Sequence, residues 1–170
     1  KLRGCEYRGH HPEPPLAQVC HHSALIAGRQ KRPAQVAGDT GPDLVAGLKS
    51  YGFKTPKPVV IPDELETIKS AIVREASRAA DVVILTGGTG LSARDVTPEA
   101  LETVCDRLIP GIGEALRQAG AAATPMSALS RSVAGQLGRA LVIALPGSRG
   151  AVADGLRVLG PLLPHALHVI

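Results

Sequence analysis

Thr86-Gly87-Gly88-Thr89-Gly90-Leu91-Ser92-Ala93-Arg94-Asp95 follows directly on an apolar run at residues 81–85. A short apolar run that breaks into glycines and then into a helix start is how one unit of a parallel α/β sheet reads. The glycines let backbone N–H groups approach an anion with no side chain in the way. A plain strand-to-helix turn uses glycine in the same manner, so the glycines by themselves leave both readings open. The stretch matches neither G-x-x-x-x-G-K-[ST] nor a good G-x-G-x-x-G. Without the P-loop lysine, a P-loop kinase or GTPase is not expected. Arg94 and Asp95 add a guanidinium and a carboxylate, which suit a phosphate and its magnesium ion.

The same rhythm continues on both sides. Further strands are expected at residues 24–27, 58–61 and 140–145. Helices are expected at 42–51, 63–80, 97–108, 112–119 and 148–160, with one or two short turns over 127–135 and a last, partly buried helix over 161–170. Asp63, followed three residues later by Glu66, makes a capping box ahead of the stripe Leu65, Ile68, Ile72 and Val73. Thr97-Pro98 is a helix start, Pro110-Gly111 a break, and Gly52 and Gly120 are stops. The pattern predicts an α/β fold with a mostly parallel sheet. Residues 1–22 carry Gly4, Gly9, Pro12, Pro14, Pro15 and two His-His pairs without periodicity. They are expected to form an irregular N-terminal arm ahead of a single domain, 23–170.

A length of 170 residues supports one domain with a short appendage. Apolar residues make 44% and charged residues 20%, which excludes disorder throughout and supplies a core that needs no disulfides. The only aromatics are Tyr7, Tyr51 and Phe53, so the core is aliphatic and a base-stacking nucleic-acid binder is not expected. Residues 1–54 hold eight Lys/Arg against four Asp/Glu, and residues 55–170 hold eleven against eleven. The net charge of +4 is therefore N-terminal, and any nucleic-acid binding by it would be weak and non-specific. Cys5, Cys20 and Cys105 are scattered, which suggests neither a disulfide framework nor a zinc ribbon and fits a reducing cytoplasm. No run of about 18 apolar residues is present to span a membrane, and the start shows no signal-peptide pattern. A start at Lys1 is compatible with numbering that begins inside a longer product.

Ligands of open parallel sheets bind outside the carboxyl ends of the strands, where loops and helix N-termini converge. That rule selects the loop opening Pro62-Asp63, the loop 86–95, and Pro146-Gly147-Ser148-Arg149-Gly150. Asp63 can serve as a helix cap; paired with Asp95 at the exit of a neighbouring strand, it could instead hold a divalent cation bridging nucleotide phosphates. Ser148 likewise reads as a cap or as part of a phosphate cradle. Ser130-Arg131 fits a cleft-facing hydroxyl and guanidinium or an exposed helix start. Glu114 and Arg117 are expected to form a surface ion pair. Cys5, His10, His11, Cys20, His21 and His22 match no closed zinc spacing. His165 and His168 accompany no nucleophile motif.

Taken in order, these loops resemble the molybdopterin-binding family of molybdenum-cofactor biosynthesis, the MogA/MoaB type. The matching text is Ile61-Pro62-Asp63-Glu64, Thr86-Gly87-Gly88-Thr89-Gly90 through Arg94-Asp95-Val96-Thr97-Pro98-Glu99-Ala100, Ile109-Pro110-Gly111 with Glu114, Leu129-Ser130-Arg131, and Leu145-Pro146-Gly147-Ser148. The likeness covers roughly residues 39–165. The resemblance implies a three-layer α/β/α sandwich, a homotrimer, and magnesium- and ATP-dependent transfer of AMP to molybdopterin with release of pyrophosphate. It also implies hand-over to a downstream molybdenum-insertion protein. Asp63 and Asp95 would be the catalytic carboxylates that hold Mg2+. Thr86, Gly87, Gly88, Thr89 and Gly90, with Pro146, Gly147 and Ser148, would cradle phosphate or pterin, and Ser130 would line the pterin pocket. The chain departs from the family at its start. Where the family has a strand ending Ser-Asp-Arg and then Asp-x-Ser-Gly-Pro, this sequence reads Ala27-Gly28-Arg29 and Asp39-Thr40-Gly41-Pro42. That departure keeps two alternatives open: a MoaB-like carrier that binds molybdopterin without adenylylating it, and a domain of the same fold serving another pathway. The apolar faces around residues 112–116 and 158–163 are the surfaces the sequence offers for trimer packing.

Overall fold

The structure is a computed structural model that describes residues 22–27 and 40–170. In chain order its elements are β1 (His22–Ala27), α1 (Thr40–Ser50), β2 (Val59–Ile61), α2 (Leu65–Ser77), β3 (Val82–Thr86), α3 (Thr97–Val104), β4 (Arg107–Leu108), α4 (Pro110–Ala121), a 3-10 turn (Pro125–Leu129), β5 (Ala134–Leu137), β6 (Ala140–Leu145) and α5 (Arg149–Val169). The strands form one sheet in the order β2-β1-β3-β6-β5-β4. The first four of these run parallel, with Leu25 beside Val59, Ser23 beside Val83, and Val83 beside Val142. β5 and β4 extend the sheet antiparallel, Gly135 standing beside both Val142 and Leu108.

Alternation along the central strands sorts the core into two layers. Val82 and Ile84 of β3 and Leu141, Ile143 and Leu145 of β6 pack with Leu44 and Leu48 of α1, Ile112 and Leu116 of α4, and Val152, Leu159 and Leu163 of α5. Val83 and Leu85, with Val142 and Ala144, face Ile68 and Ile72 of α2 and Ala100 and Leu101 of α3. The three-layer α/β/α architecture follows, and strands covered on both faces explain why β3 and β6 read as unbroken apolar runs.

Several local expectations are corrected. The cap position of α2 falls to Glu64, one residue after the expected Asp63, and the Glu64 side chain makes no capping bond. α3 starts behind Val96 and stops at Val104, because Cys105 turns extended and Arg107–Leu108 pairs with β5. Pro110 and Gly111, expected as the break ahead of a helix at 112–119, instead form the first turn of α4, where the missing N–H of proline costs nothing. Residues 127–135 hold the end of the 3-10 turn and the start of β5 where helical turns are expected. α5 runs unbroken through Pro161 and Pro164, held to the sheet by Leu159 and Leu163. The apolar positions Ile112, Leu116, Leu159 and Leu163 are buried within the chain itself, so they leave little surface for trimer packing. Arg117 reaches carbonyl groups and not Glu114. The expected arm with its histidines and Cys5 and Cys20, apart from His22 in β1, lies outside the described residues, as does the Gly28–Asp39 departure.

Candidate functional site at the carboxyl edge of the sheet

β3 and β6 end side by side, and their loops are tied together there. The buried Thr86 hydroxyl donates to the Pro146 carbonyl at 3.0 Å, and the Gly87 amide donates to the Leu145 carbonyl at 2.9 Å. A Cβ on Gly147 would lie 3.1 Å from the Gly87 Cα, so the two loops touch backbone to backbone. Gly87 (φ 105°) and Gly88 (φ 64°) turn the chain through the left-handed region that glycine adopts without strain. Thr89 is buried, and Gly90 leads into the exposed stretch Leu91–Arg94.

Both candidate carboxylates stand against this short glycine stretch. A Cβ on Gly88 would meet the Thr97 Oγ1 at 2.3 Å and approach the Asp63 Oδ1 to 3.5 Å. A Cβ on Gly90 would meet the Asp95 Oδ2 at 2.8 Å. Asp95 also shapes its own loop, its Oδ2 accepting from the Ser92 amide at 2.9 Å. The Thr97 hydroxyl is buried with no hydrogen-bond partner among the described residues, at the point where Gly88 and Asp63 meet. Reading Thr97 only as a helix start hides this position from the sequence.

Arg131 fastens the loop from behind. Its amide donates to the Thr89 carbonyl at 2.9 Å, its Nε to the Gly90 carbonyl at 2.8 Å, and its Nη2 to the Asp95 carbonyl. Its Nη1 pairs with Glu99. Burial is the largest single influence and opposes the charged form of Glu99, but the Arg131 hydrogen bond, a backbone hydrogen bond and the Arg131 charge together outweigh it and hold the carboxyl below its usual value. One side chain thus sets the backbone of Gly90 and Asp95 together. The sequence singles out Ser130-Arg131, but its partners, some 32 to 41 residues away, become visible only in the fold.

The remaining candidates gather at a separate cavity of about 260 Å³ beside this edge. Its lining includes Ser130, Ser132, Pro146, Ser148, Met126 and Asp154, between the 3-10 turn, α4 and α5. Ser130 Oγ and Ser132 Oγ lie 2.8 Å apart, and the Arg117 Nη1 donates to the Ser132 carbonyl at 2.8 Å. Ser148 caps α5, accepting from the Ala151 amide at 3.2 Å. Pro146–Ser148 is therefore the hinge between two halves: a glycine loop with two carboxylates on one side, and a largely apolar cavity on the other. Asp63, Asp95 and Gly87–Gly90 do not line the cavity. Among the described residues, no helix is long and apolar enough to cross a membrane.

The chain is similar to known proteins over most of its length. The family described as "Probable molybdopterin binding domain" matches residues 23–165. A molybdenum cofactor biosynthesis bifunctional protein of Synechococcus elongatus is 39% identical over 95% of this chain, which spans 54% of that relative's length. A molybdopterin adenylyltransferase of Helicobacter pylori is 35% identical over 65% of this chain and 64% of its own length. The solved structure of the molybdopterin biosynthesis Mog protein from Mycobacterium ulcerans superposes with a TM-score of 0.81 at 36% identity, covering 89% of this chain and 96% of that one. With the family matched over nearly the whole sheet and both halves of the site, the chain belongs to the molybdopterin-binding-domain family of molybdenum cofactor biosynthesis.

Proposed function

We propose that this chain is a molybdopterin adenylyltransferase: with Mg2+ it transfers AMP from ATP to the phosphate of molybdopterin and releases pyrophosphate. The observation that carries the reading is the approach of Asp63 and Asp95 to one glycine stretch, Gly88 to Gly90, at the carboxyl edge of the sheet. The Helicobacter relative described as a molybdopterin adenylyltransferase supports it. Magnesium takes hard oxygen donors, commonly one or two carboxylates completed by phosphate oxygens and water. Asp63 and Asp95 are such a donor pair. Among the described residues, no cluster of three or more His, Cys, Asp or Glu offers a closed protein site, which suits an ion brought in with its nucleotide. When bound, the ion would neutralise charge on the nucleotide phosphates.

The chain's own groups align and cradle. The backbone amides of Gly88 to Gly90 and the amino end of α5 behind Ser148 favour anions. A phosphate oxygen of the pterin forms a bond to the α-phosphorus of ATP, and the bond from that phosphorus to the oxygen bridging it to the β-phosphate breaks. Pyrophosphate carries that oxygen away. The nucleophile is already an anion, so positioning and charge neutralisation carry the catalysis, with no general base required. A homotrimeric state, a cytoplasmic setting and hand-over to a downstream molybdenum-insertion protein belong to the same reading.

A carrier that binds molybdopterin without adenylylating it is the second reading, favoured by Ala27-Gly28-Arg29 standing where the family has Ser-Asp-Arg. Titration calorimetry separates the two. The adenylyltransferase reading expects ATP affinity that depends on magnesium and falls at least about tenfold in Asp63→Asn and in Asp95→Asn. Pterin binding with no magnesium-dependent affinity for ATP identifies the carrier.

A further inference from the structure

We infer that Asp154 is the residue that selects the pterin ring, by accepting hydrogen bonds from the N3–H and 2-amino group of its pyrimidine edge; the inference rests on the molybdopterin reading of the site. A cavity of about 260 Å³ falls just under the roughly 300–1,000 Å³ that takes drug-sized ligands, so it suits one ring system better than a whole nucleotide. Its walls are mainly apolar, from Leu116, Ala123, Met126 and Pro146, as a flat heterocycle requires.

Asp154 is the carboxylate in that wall, and its side chain is only 14% exposed. It lies in the second turn of α5, whose first turn follows Ser148 at the phosphate edge. The exposed Arg157 pairs with its Oδ1. The other oxygen, Oδ2, lies toward the cavity-lining Gly120, 3.8 Å from where a Cβ there would stand. The same Cβ would come within 3.0 Å of Ser127 Cβ, so glycine at 120 keeps the gap between Ser127 and Asp154 open.

A carboxylate accepts hydrogen bonds and repels phosphate. Placing it in the cavity, while the anion-favouring glycine loop and α5 amino end lie beyond Pro146 and Ser148, gives the substrate one direction. The donor edge of the ring goes in, and the phosphate stays at the sheet edge. A pterin offers two adjacent N–H donors that match the two-acceptor character of a carboxylate; a 2-oxo pteridine presents an oxygen in place of one of them.

Equilibrium fluorescence titration of the full chain with 6-hydroxymethylpterin and with lumazine, whose 2-position is an oxo group, tests this. The wild type is expected to prefer the pterin by about ten- to hundredfold, the range of hydrogen bonds to a charged group. Asp154→Asn, which substitutes a donor for one acceptor, is expected to erase that preference. Arg157→Gln, which removes only the intrahelical partner, is expected to keep it. Equal affinity of the wild type for the two ligands, binding of neither, or an unchanged preference in Asp154→Asn overturns the inference. If the preference is present but no pyrophosphate is released from ATP, the proposed activity fails and the role of Asp154 stands. Pyrophosphate release with an unchanged ligand preference in Asp154→Asn fails Asp154 alone.

Discussion

Gly88 is the residue on which the two candidate carboxylate loops converge. At φ 64°, an alanine there pays roughly 1–2 kcal/mol for left-handed backbone. Its Cβ would also have to displace the Thr97 hydroxyl from 2.3 Å, and with it the wall that Asp63 stands against. Gly88→Ala is expected to lower stability by about 2–4 kcal/mol in denaturant unfolding and to weaken magnesium-dependent ATP binding. Gly138 offers the control, because it has φ 57° and open space around it. Gly138→Ala should cost about 1–2 kcal/mol and leave ligand binding alone. The ion pair behind the loop has its own signature. Glu99 is held below its ordinary 4.5 by Arg131, so the pair stabilises the fold above that value and the contribution is lost as pH falls through the lowered one. Both side chains are partly exposed, at 34% and 47%, so the effect is under about 1 kcal/mol. Unfolding titrations should show wild type more stable than Glu99→Gln at pH 7, with the difference starting to shrink below pH 4.5 and vanishing only once pH is under the lowered value; a difference that grows in acid would contradict the pairing.

The parts of the fold that periodicity reports were legible at the scale of elements. β6 falls on residues 140–145, as the unbroken apolar run predicts, and β3 is displaced by a single residue. Both are covered by helices on two faces, so every residue carries the signal. β4 and β5 escaped because Arg107–Leu108 is exposed and Ala134–Leu137 has small and polar residues with no alternation. What fixes that pair is close packing: a Cβ on Gly135 would come within 2.8 Å of the Cys105 Cβ and Sγ. Burial and then the neighbouring Asp106 push the Cys105 thiol up to about 11, so little thiolate is present near neutral pH. Iodoacetamide at pH 7.5, followed by peptide mapping, is expected to leave Cys105 largely unmodified in the native protein and to label it after unfolding in guanidinium. Labelling of native Cys105 at the rate of an unfolded thiol would show that the β4–β5 corner is open. The two halves of the site were legible to different degrees for a related reason. Asp63, Asp95 and the glycines sit at strand exits, which sequence order locates, whereas Asp154 looks like any acidic residue on an exposed helix until the 3-10 turn closes over it.

For the whole molecule, the sheet order β2-β1-β3-β6 places the exits of β2, β3 and β6 on one edge, which is why three loops far apart in sequence form one site. The strand between them, β1, begins at His22 opposite Val82. Sedimentation at micromolar concentration is expected to give a species of about three times 17.5 kDa for the proposed homotrimer, and a monomer at every concentration would remove that part of the proposal. The most direct measurement is pyrophosphate release from ATP, magnesium and molybdopterin by wild type and by Asp95→Asn, whose amide oxygen can still accept from the Ser92 amide and so keeps the loop. The expected result is release of one pyrophosphate for each molybdopterin consumed by the wild type, abolished in Asp95→Asn with its unfolding midpoint unchanged. Molybdopterin bound by the wild type with no pyrophosphate released, or release that survives in Asp95→Asn, would contradict the assignment of the carboxyl edge as a site of AMP transfer.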